Sequence, residues 1–314
     1  MARVLAVGIA ALDIINEVER YPQEDGEVRA LARRVARGGN ATNTLVVLSQ
    51  LGHACAWAGV LGGRDGGRFV LDDLARHGVD TGGCRVLEDA SPPTSYITLS
   101  RATGSRTIVH YRDLPEYGFE DFRSVDLAAL DWVHFEGRHV PETHRMLERV
   151  RRARPDVRVS LEIEKPRPDI EALFPLADVL LFSRHYARAA GHPEPVSLLR
   201  TVRATVPAAV LVCAWGEAGA TALSPQGETV ASPAFPPPRV VDTVGAGDVF
   251  NAACIDGLIG HRPLAEVLAD ACRLAGAKCG CVGLDNLPDR PPVGGATGGG
   301  TEGYERSTPG RLSR

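Results

Sequence analysis

With 314 residues, 44% of them hydrophobic, the chain can form one large or two modest globular domains. Lys and Arg number 35 against 39 Asp and Glu, a formal net charge of -4, which gives no electrostatic ground for a nucleic-acid or anionic-membrane partner. The seven cysteines are an odd number, scattered and partly in apolar runs such as Leu211-Val212-Cys213-Ala214-Trp215, so they read as free thiols. Cys279 and Cys281 lack the second pair or His cluster that a zinc site needs.

Residues 4–9 read as a buried first strand rather than a signal-peptide core, since little positive charge precedes them and Asp13 follows almost at once. No apolar run reaches the roughly eighteen residues of a spanning helix, so a cytoplasmic location is the expectation. Helical patterns at 41–51 and 67–77 enclose an apolar stretch at 54–61. The same rhythm returns at 132–135, in the helix around 142–153, and at 157–163, 179–182 and 208–213. Such alternation predicts an α/β fold with a mostly parallel sheet covered on both faces.

Two stretches, 14–35 and 94–111, break that rhythm. In the second, Ser95-Tyr96-Ile97-Thr98-Leu99-Ser100, then Thr103-Gly104, then Arg106-Thr107-Ile108-Val109-His110-Tyr111 form a hairpin pattern. They predict a small antiparallel sheet at the edge of the main one, either a lid over a cleft or a plain extension. At the other end, residues 288–314 are rich in Pro, Gly, Ser and Thr and predict a disordered tail after a domain spanning 1–287.

Three places carry candidate chemistry. Asp13 follows the first strand, where ligands of open α/β sheets gather, although a lone acid there also reads as a lid-strand or turn residue without a ligand contact. Gly38-Gly39-Asn40-Ala41-Thr42-Asn43 opens a helix and sets Asn40 and Asn43 one turn apart. Their amides donate and accept at once, which suits sugar hydroxyls, while a capping role for Asn40 fits the same residues. Finally, Val240-Val241-Asp242-Thr243-Val244-Gly245-Ala246-Gly247-Asp248 joins an apolar run to a glycine turn and a helix start. Gly245 and Gly247 let the backbone turn and aim N–H groups at an anion, and Asp248 would stand beside it as a proton acceptor. A helix cap with a plain glycine turn is the alternative.

This last run resembles the Asp-Thr-x-Gly-Ala-Gly-Asp signature of the ribokinase-like sugar kinases, the phosphofructokinase B (PfkB) family. The resemblance implies a ribokinase-like three-layer αβα core with Asp248 as catalytic base and the amides of Gly245, Ala246 and Gly247 as an anion hole. Gly-Gly-Asn-x-x-Asn is similar to the family's sugar-binding motif, which implies that Asp13, Gly39, Asn40 and Asn43 hold the sugar. The edge strands become a lid that pairs with a second subunit, so a homodimer is expected.

Phe135-Glu136-Gly137-Arg138, Ser160-Leu161-Glu162-Ile163-Glu164-Lys165-Pro166-Arg167 and Ala275-Gly276-Ala277-Lys278-Cys279-Gly280 resemble the ketohexokinase branch of the family, with a likeness over about residues 4–286. That branch implies phosphoryl transfer from ATP to O1 of D-fructose. Arg106 would reach the ATP phosphates, and the nucleotide would rest near Trp215, Gly216, Gly219, Ala275 and Gly276 as well as Gly245 and Gly247. Glu136 and Arg138 would lie near the transfer path, and Glu162 and Glu164 would orient hydrated Mg2+; taken singly, each reads equally well as part of a salt-bridge cluster. The resemblance leaves a K+ requirement open. Arg184 stands where the branch has lysine, a guanidinium fork in place of a point charge. A kinase for tagatose, sulfofructose or ribose, or an inactive sugar-binding homologue, remains an alternative. A dinucleotide oxidoreductase does not fit, because Gly8-Ile9-Ala10-Ala11-Leu12-Asp13 has no Gly-x-Gly-x-x-Gly turn.

Overall fold

Alternate residues of the first strand, β1 (Arg3–Val7), face two different apolar cores: Val4 and Ala6 point into one, Leu5 and Val7 into the other. A strand buried on both faces belongs to the middle of a three-layer αβα stack. The computed structural model describes residues 1–285 and 287, so the expected tail at 288–314 lies outside the described residues.

The central sheet also contains β4 (Ala54–Ala58), β6 (Val79–Asp80), β10 (Trp132–Glu136), β11 (Arg158–Ile163), β12 (Val179–Ser183), β13 (Val210–Ala214), β14 (Ala220–Leu223) and β15 (Thr229–Ser232), in the order 15-14-13-12-11-10-1-4-6. Its strands run parallel from β13 to β6, and the two edge pairings, β13 with β14 and β14 with β15, are antiparallel. Helices α1 (Asn40–Gln50), α2 (Gly67–Arg76), α7 (Ala246–Ile259) and α8 (Leu264–Cys279) contribute to the first core. Helices α3 (Phe119–Phe122), α4 (Val140–Ala153), α5 (Arg184–Ala189) and α6 (Pro195–Arg203) contribute to the second. Helix α7 is buried almost all round because it packs against both α1 and α8, which is why its sequence carries no clean polar face.

A separate four-stranded sheet has the order β3 (Ala32–Gly38), β2 (Ala11–Val18), β8 (Thr94–Ser100), β9 (Arg106–Tyr111). Two details correct the sequence reading. The first lid strand starts at Ala11 rather than Ile14, which makes Asp13 a lid-strand residue, one of the readings its position allowed, and residues 19–31 are connection. The sheet is not wholly antiparallel: β2 and β8 pair in parallel, Asp13 opposite Ser95. Between them the chain returns to the main domain through α1, β4 and α2, so both strands enter the lid from the same end. The short pair β5 (Val60–Gly62) and β7 (Arg85–Leu87) completes the strands of the described residues. No helix among these residues is long and apolar enough to cross a membrane.

Candidate active site

Beyond the carboxyl ends of the parallel strands, under the inner face of the lid, lies a cavity of about 500 Å³. Strand ends supply Glu136 from β10, Glu162 and Glu164 from β11 and just after it, Ser183 from β12 and Ala214 from β13. This is where open parallel sheets bind ligands, because the connections there leave a crevice. From the lid come Asp13, Ser95, Arg106 and His110, and from α1 and its entry come Gly39, Asn40 and Asn43. Gly245, Gly247 and Asp248 close the far wall.

The turn into α7 has the conformation that its glycines permit. Gly245 has φ of 83°, the left-handed region, and a side chain at Gly247 would meet nothing within 4 Å. The first N–H groups of a helix have no partner inside it, so those of Gly247 and Asp248 start without an intrahelical bond beside the cavity. Asp248 is the third residue of α7 and is only 7% exposed. Its Oδ2 accepts a 2.7 Å hydrogen bond from Nδ2 of Asn43.

Asn43 is itself aimed by a residue that the sequence reading missed. Buried Arg37 donates to Oδ1 of Asn43 at 2.5 Å and to Asp73 at 2.7 Å. With its oxygen so engaged, the amide can only turn its NH2 toward Asp248. The signal was the charged residue directly before Gly38-Gly39, which pattern reading treats as surface.

Five carboxyl groups line the cavity, and burial pushes up those of Asp248, Glu162, Glu136 and Asp13. It pushes the Asp248 carboxyl up to about 8, with the Asn43 bond and Arg37 opposing and Glu164 and Glu136 adding to the rise. Glu162 is raised well above the carboxylate range by burial and then by the charges of Asp248, Glu136 and Glu164. Glu136 is raised by burial, against Arg138 and the N–H groups of Ala41 and Ile9. Asp13 is raised by burial too, with the Ser95 hydroxyl, Arg37 and Arg34 opposing.

The sequence-predicted residues divide into three groups. Asp13, Gly39, Asn40, Asn43, Gly245, Gly247 and Asp248 meet in the cavity with Arg106, Glu136, Arg138, Glu162 and Glu164. Some of these already have structural partners. Glu136 accepts the N–H groups of Ala41 at 2.7 Å and Ile9 at 3.0 Å, holding the start of α1 to β1. Arg138 forms a two-pronged pair with Glu116 at 2.8 and 3.1 Å, an arrangement invisible in the sequence because 22 residues separate them. Ala246 starts α7 between the two glycines. Trp215, Gly216, Gly219, Ala275, Gly276 and Arg184 are not in the cavity wall, which on that side is formed by Ser183, His185 and Ala214. Trp215 is 9% exposed, and the Arg184 guanidinium lies beside Gly216. At Gly276 a Cβ would stand 1.9 Å from the Phe235 carbonyl oxygen, so this glycine serves close helix-to-loop packing.

A divalent cation fits one part of the site. Glu162 Oε2 is buried with no hydrogen-bond partner, while its Oε1 and Glu164 Oε2 accept from Asn40 Nδ2 at 3.1 and 3.3 Å. Among the described residues no three His, Cys, Asp or Glu side chains could hold an ion by themselves. Glu162 and Glu164 could hold a hydrated Mg2+, an ion that keeps several waters and takes its remaining ligands from substrate phosphates.

The pfkB family carbohydrate kinase profile matches residues 1–290. Mouse ketohexokinase is 42% identical over 293 residues, covering 91% of this chain and 98% of that protein. Fructokinase of Klebsiella pneumoniae is 28% identical over 82% of this chain and 85% of its own. Among solved structures, Arabidopsis thaliana ribokinase complexed with ribose and ATP superposes with a TM-score of 0.72 at 21% identity, over 92% of this chain and 96% of that one. At that identity the likeness speaks for the fold alone, and it is the fold described above. A family profile spanning nearly the whole chain, on a site that joins a glycine turn to a buried acid, leaves one assignment: the chain belongs to the pfkB family of carbohydrate kinases and is an ATP-dependent sugar kinase.

Proposed function

We propose that the protein phosphorylates a ketohexose, D-fructose, on O1 with ATP. The observation that carries this reading is the 2.7 Å bond between Asn43 and Asp248 inside a cavity also lined by Asp13, Asn40 and the glycine turn. Hydroxyl-binding groups and a proton acceptor thereby share one cavity with an anion-binding helix start. The full-length likeness to mouse ketohexokinase supports fructose among the sugars.

In this reading Asp13, Asn40 and Asn43 hold the sugar hydroxyls, while Gly39, which lines the same cavity, packs against the Ile9 carbonyl. O1 lies against Asp248, whose carboxylate takes the hydroxyl proton as the O1–P bond forms and the bond from the γ-phosphorus to the bridging oxygen breaks, releasing ADP. The N–H groups of 245–247 meet the charge on the migrating phosphoryl group, the main task in a reaction that is mostly positioning and electrostatics. Glu162 and Glu164 would hold Mg2+ through its waters, and the ion would neutralise phosphate charge. Turnover across a panel of ketoses and aldoses, with 31P and 13C NMR of the product, tests the assignment. Preference for an aldose, or phosphate on any oxygen but O1, would sink it.

Arg106 donates from the lid to Thr243 Oγ1 at 2.9 Å and Thr243 O at 3.2 Å, beside the phosphate turn. Arg106→Ala is expected to raise KM for ATP by about tenfold with a smaller change for sugar, the worth of one or two charge-assisted hydrogen bonds. The reverse pattern in steady-state kinetics would put Arg106 on the sugar side.

The lid has a second, outward face. Val35, Ile14, Tyr96 and Val109 stand in register across its four strands, and Val109 is 66% exposed. Such a strip suits a second copy of the chain. Light scattering should give the mass of two chains, and Val109→Asp should shift it toward one; a monomeric parent protein would refute the pairing.

A further inference from the structure

Lys278 is the one lysine among the largest fully buried side chains of the described residues, with none of its surface exposed. It sits in the last turn of α8, outside the cavity wall. Its Nζ donates to the carbonyl oxygens of Asp242 at 2.8 Å and Cys281 at 3.3 Å and lies 3.3 Å from Asp242 Oδ2. An ammonium is expensive to bury, and a methionine would fill such a volume at less cost. Charge balance sharpens the point. Asp242, 1% exposed, is already neutralised by Arg34 at 2.6 Å and receives the N–H groups of Val244 at 2.9 Å and Gly283 at 3.1 Å. Two cations thus face one carboxylate, and Lys278 holds the carbonyl of the residue that begins the segment leading into the phosphate turn.

The hydrogen bonds from Lys278 lead to that turn, while the other charged partner of Asp242, Arg34, belongs to β3 of the lid. Lys278 holds Asp242, Asp242 fixes the N–H of Val244, and Gly245 follows directly. The residues that face the sugar, by contrast, are set by Arg37, Glu162 and the lid.

We propose that Lys278 is a positioning residue for phosphoryl transfer, a resident cation that holds segment 242–244 so that the amides of 245–247 face the phosphate and that adds positive potential behind them. The proposal rests on the reading of this turn as the phosphate site. It extends that reading to a group 30 residues downstream of Asp248 that touches no substrate.

The test uses the full chain with Lys278→Gln, which keeps an amide donor for the two carbonyls but loses the charge, and Lys278→Ala, which opens a void. Folding is checked by circular dichroism and Tm. In folded Lys278→Gln, kcat should fall about tenfold or more and KM for ATP should rise, while KM for sugar stays within about threefold. In Lys278→Ala, methylammonium or ethylammonium at constant ionic strength should restore part of kcat saturably, and tetramethylammonium, which cannot donate, should not. A folded Lys278→Gln with unchanged kcat and KM for ATP overturns the proposal. Equal losses toward both substrates, or rescue by tetramethylammonium, do the same. Asp248→Asn measured alongside separates the two readings: if it is silent, Asp248 is not the base and the underlying reading of the site fails, whereas a crippled Asp248→Asn beside a silent Lys278→Gln removes only the role of Lys278.

Discussion

Asp248→Asn is expected to lower kcat by a factor on the order of a hundred or more while ATP still binds, because the change removes a proton acceptor and little volume. The amide retains the shape of the carboxylate and can still meet Asn43, so Tm should move little. The pH profile supplies a second readout. In the free protein burial holds the Asp248 carboxyl near 8, with Glu164 and Glu136 adding to the rise. A base must be ionised, so kcat/KM should climb with pH and level off above about 8, falling toward tenfold per pH unit below it. The limb in kcat belongs to the loaded enzyme and should lie lower, since a bound cation and the amide turn favour the charged carboxylate. Asp248→Asn should flatten the kcat/KM limb. Wild-type turnover in the variant, or an unchanged limb, would remove Asp248 as the base.

How far the sequence leads depends on how local each determinant is. The turn at 245–248 and the pair Asn40 and Asn43 are short-range patterns, and both lie in the cavity as expected. The layering was equally legible, since strands buried on both faces read as continuous apolar runs. Long-range pairings were not. Glu116 takes Arg138 from 22 residues away, Lys278 reaches back 36 residues to Asp242, and Arg37, which aims Asn43, is itself held by Asp73, 36 residues on. Each is an ordinary charged residue until the fold closes around it. The lid shows the same limit: its hairpin at β8 and β9 is a local pattern, whereas the parallel pairing of β2 with β8 depends on where the intervening chain travels. Of the expected nucleotide residues, Trp215, Gly216, Gly219, Ala275 and Gly276 do not line the cavity.

Gly38→Ala should weaken sugar binding with little loss of stability, and the neighbouring Gly39→Ala should do the reverse. A Cβ on Gly38 would stand 2.3 Å from both carboxylate oxygens of Asp13. Asp13 can yield, because its carboxyl is the free end of a side chain and burial already disfavours its charge. Once displaced, it no longer accepts from the sugar, and losing hydrogen bonds to a charged group costs about 1.5–3 kcal/mol, a factor of about ten to a hundred in KM for sugar. KM for ATP should stay put, since Asp13 lies on the lid and the phosphate turn opens α7. At Gly39, φ is 104° and a Cβ would come 2.2 Å from the carbonyl oxygen of Ile9, backbone against backbone. Neither side of that clash is a flexible tip, and the left-handed region adds about 1–2 kcal/mol of its own. Gly39→Ala should therefore lower Tm by several degrees and loosen the start of α1. Calorimetry with substrate kinetics on the two variants tells the effects apart: if Gly38→Ala leaves KM for sugar unchanged, Asp13 does not hold the sugar, and the lid contributes cover rather than recognition.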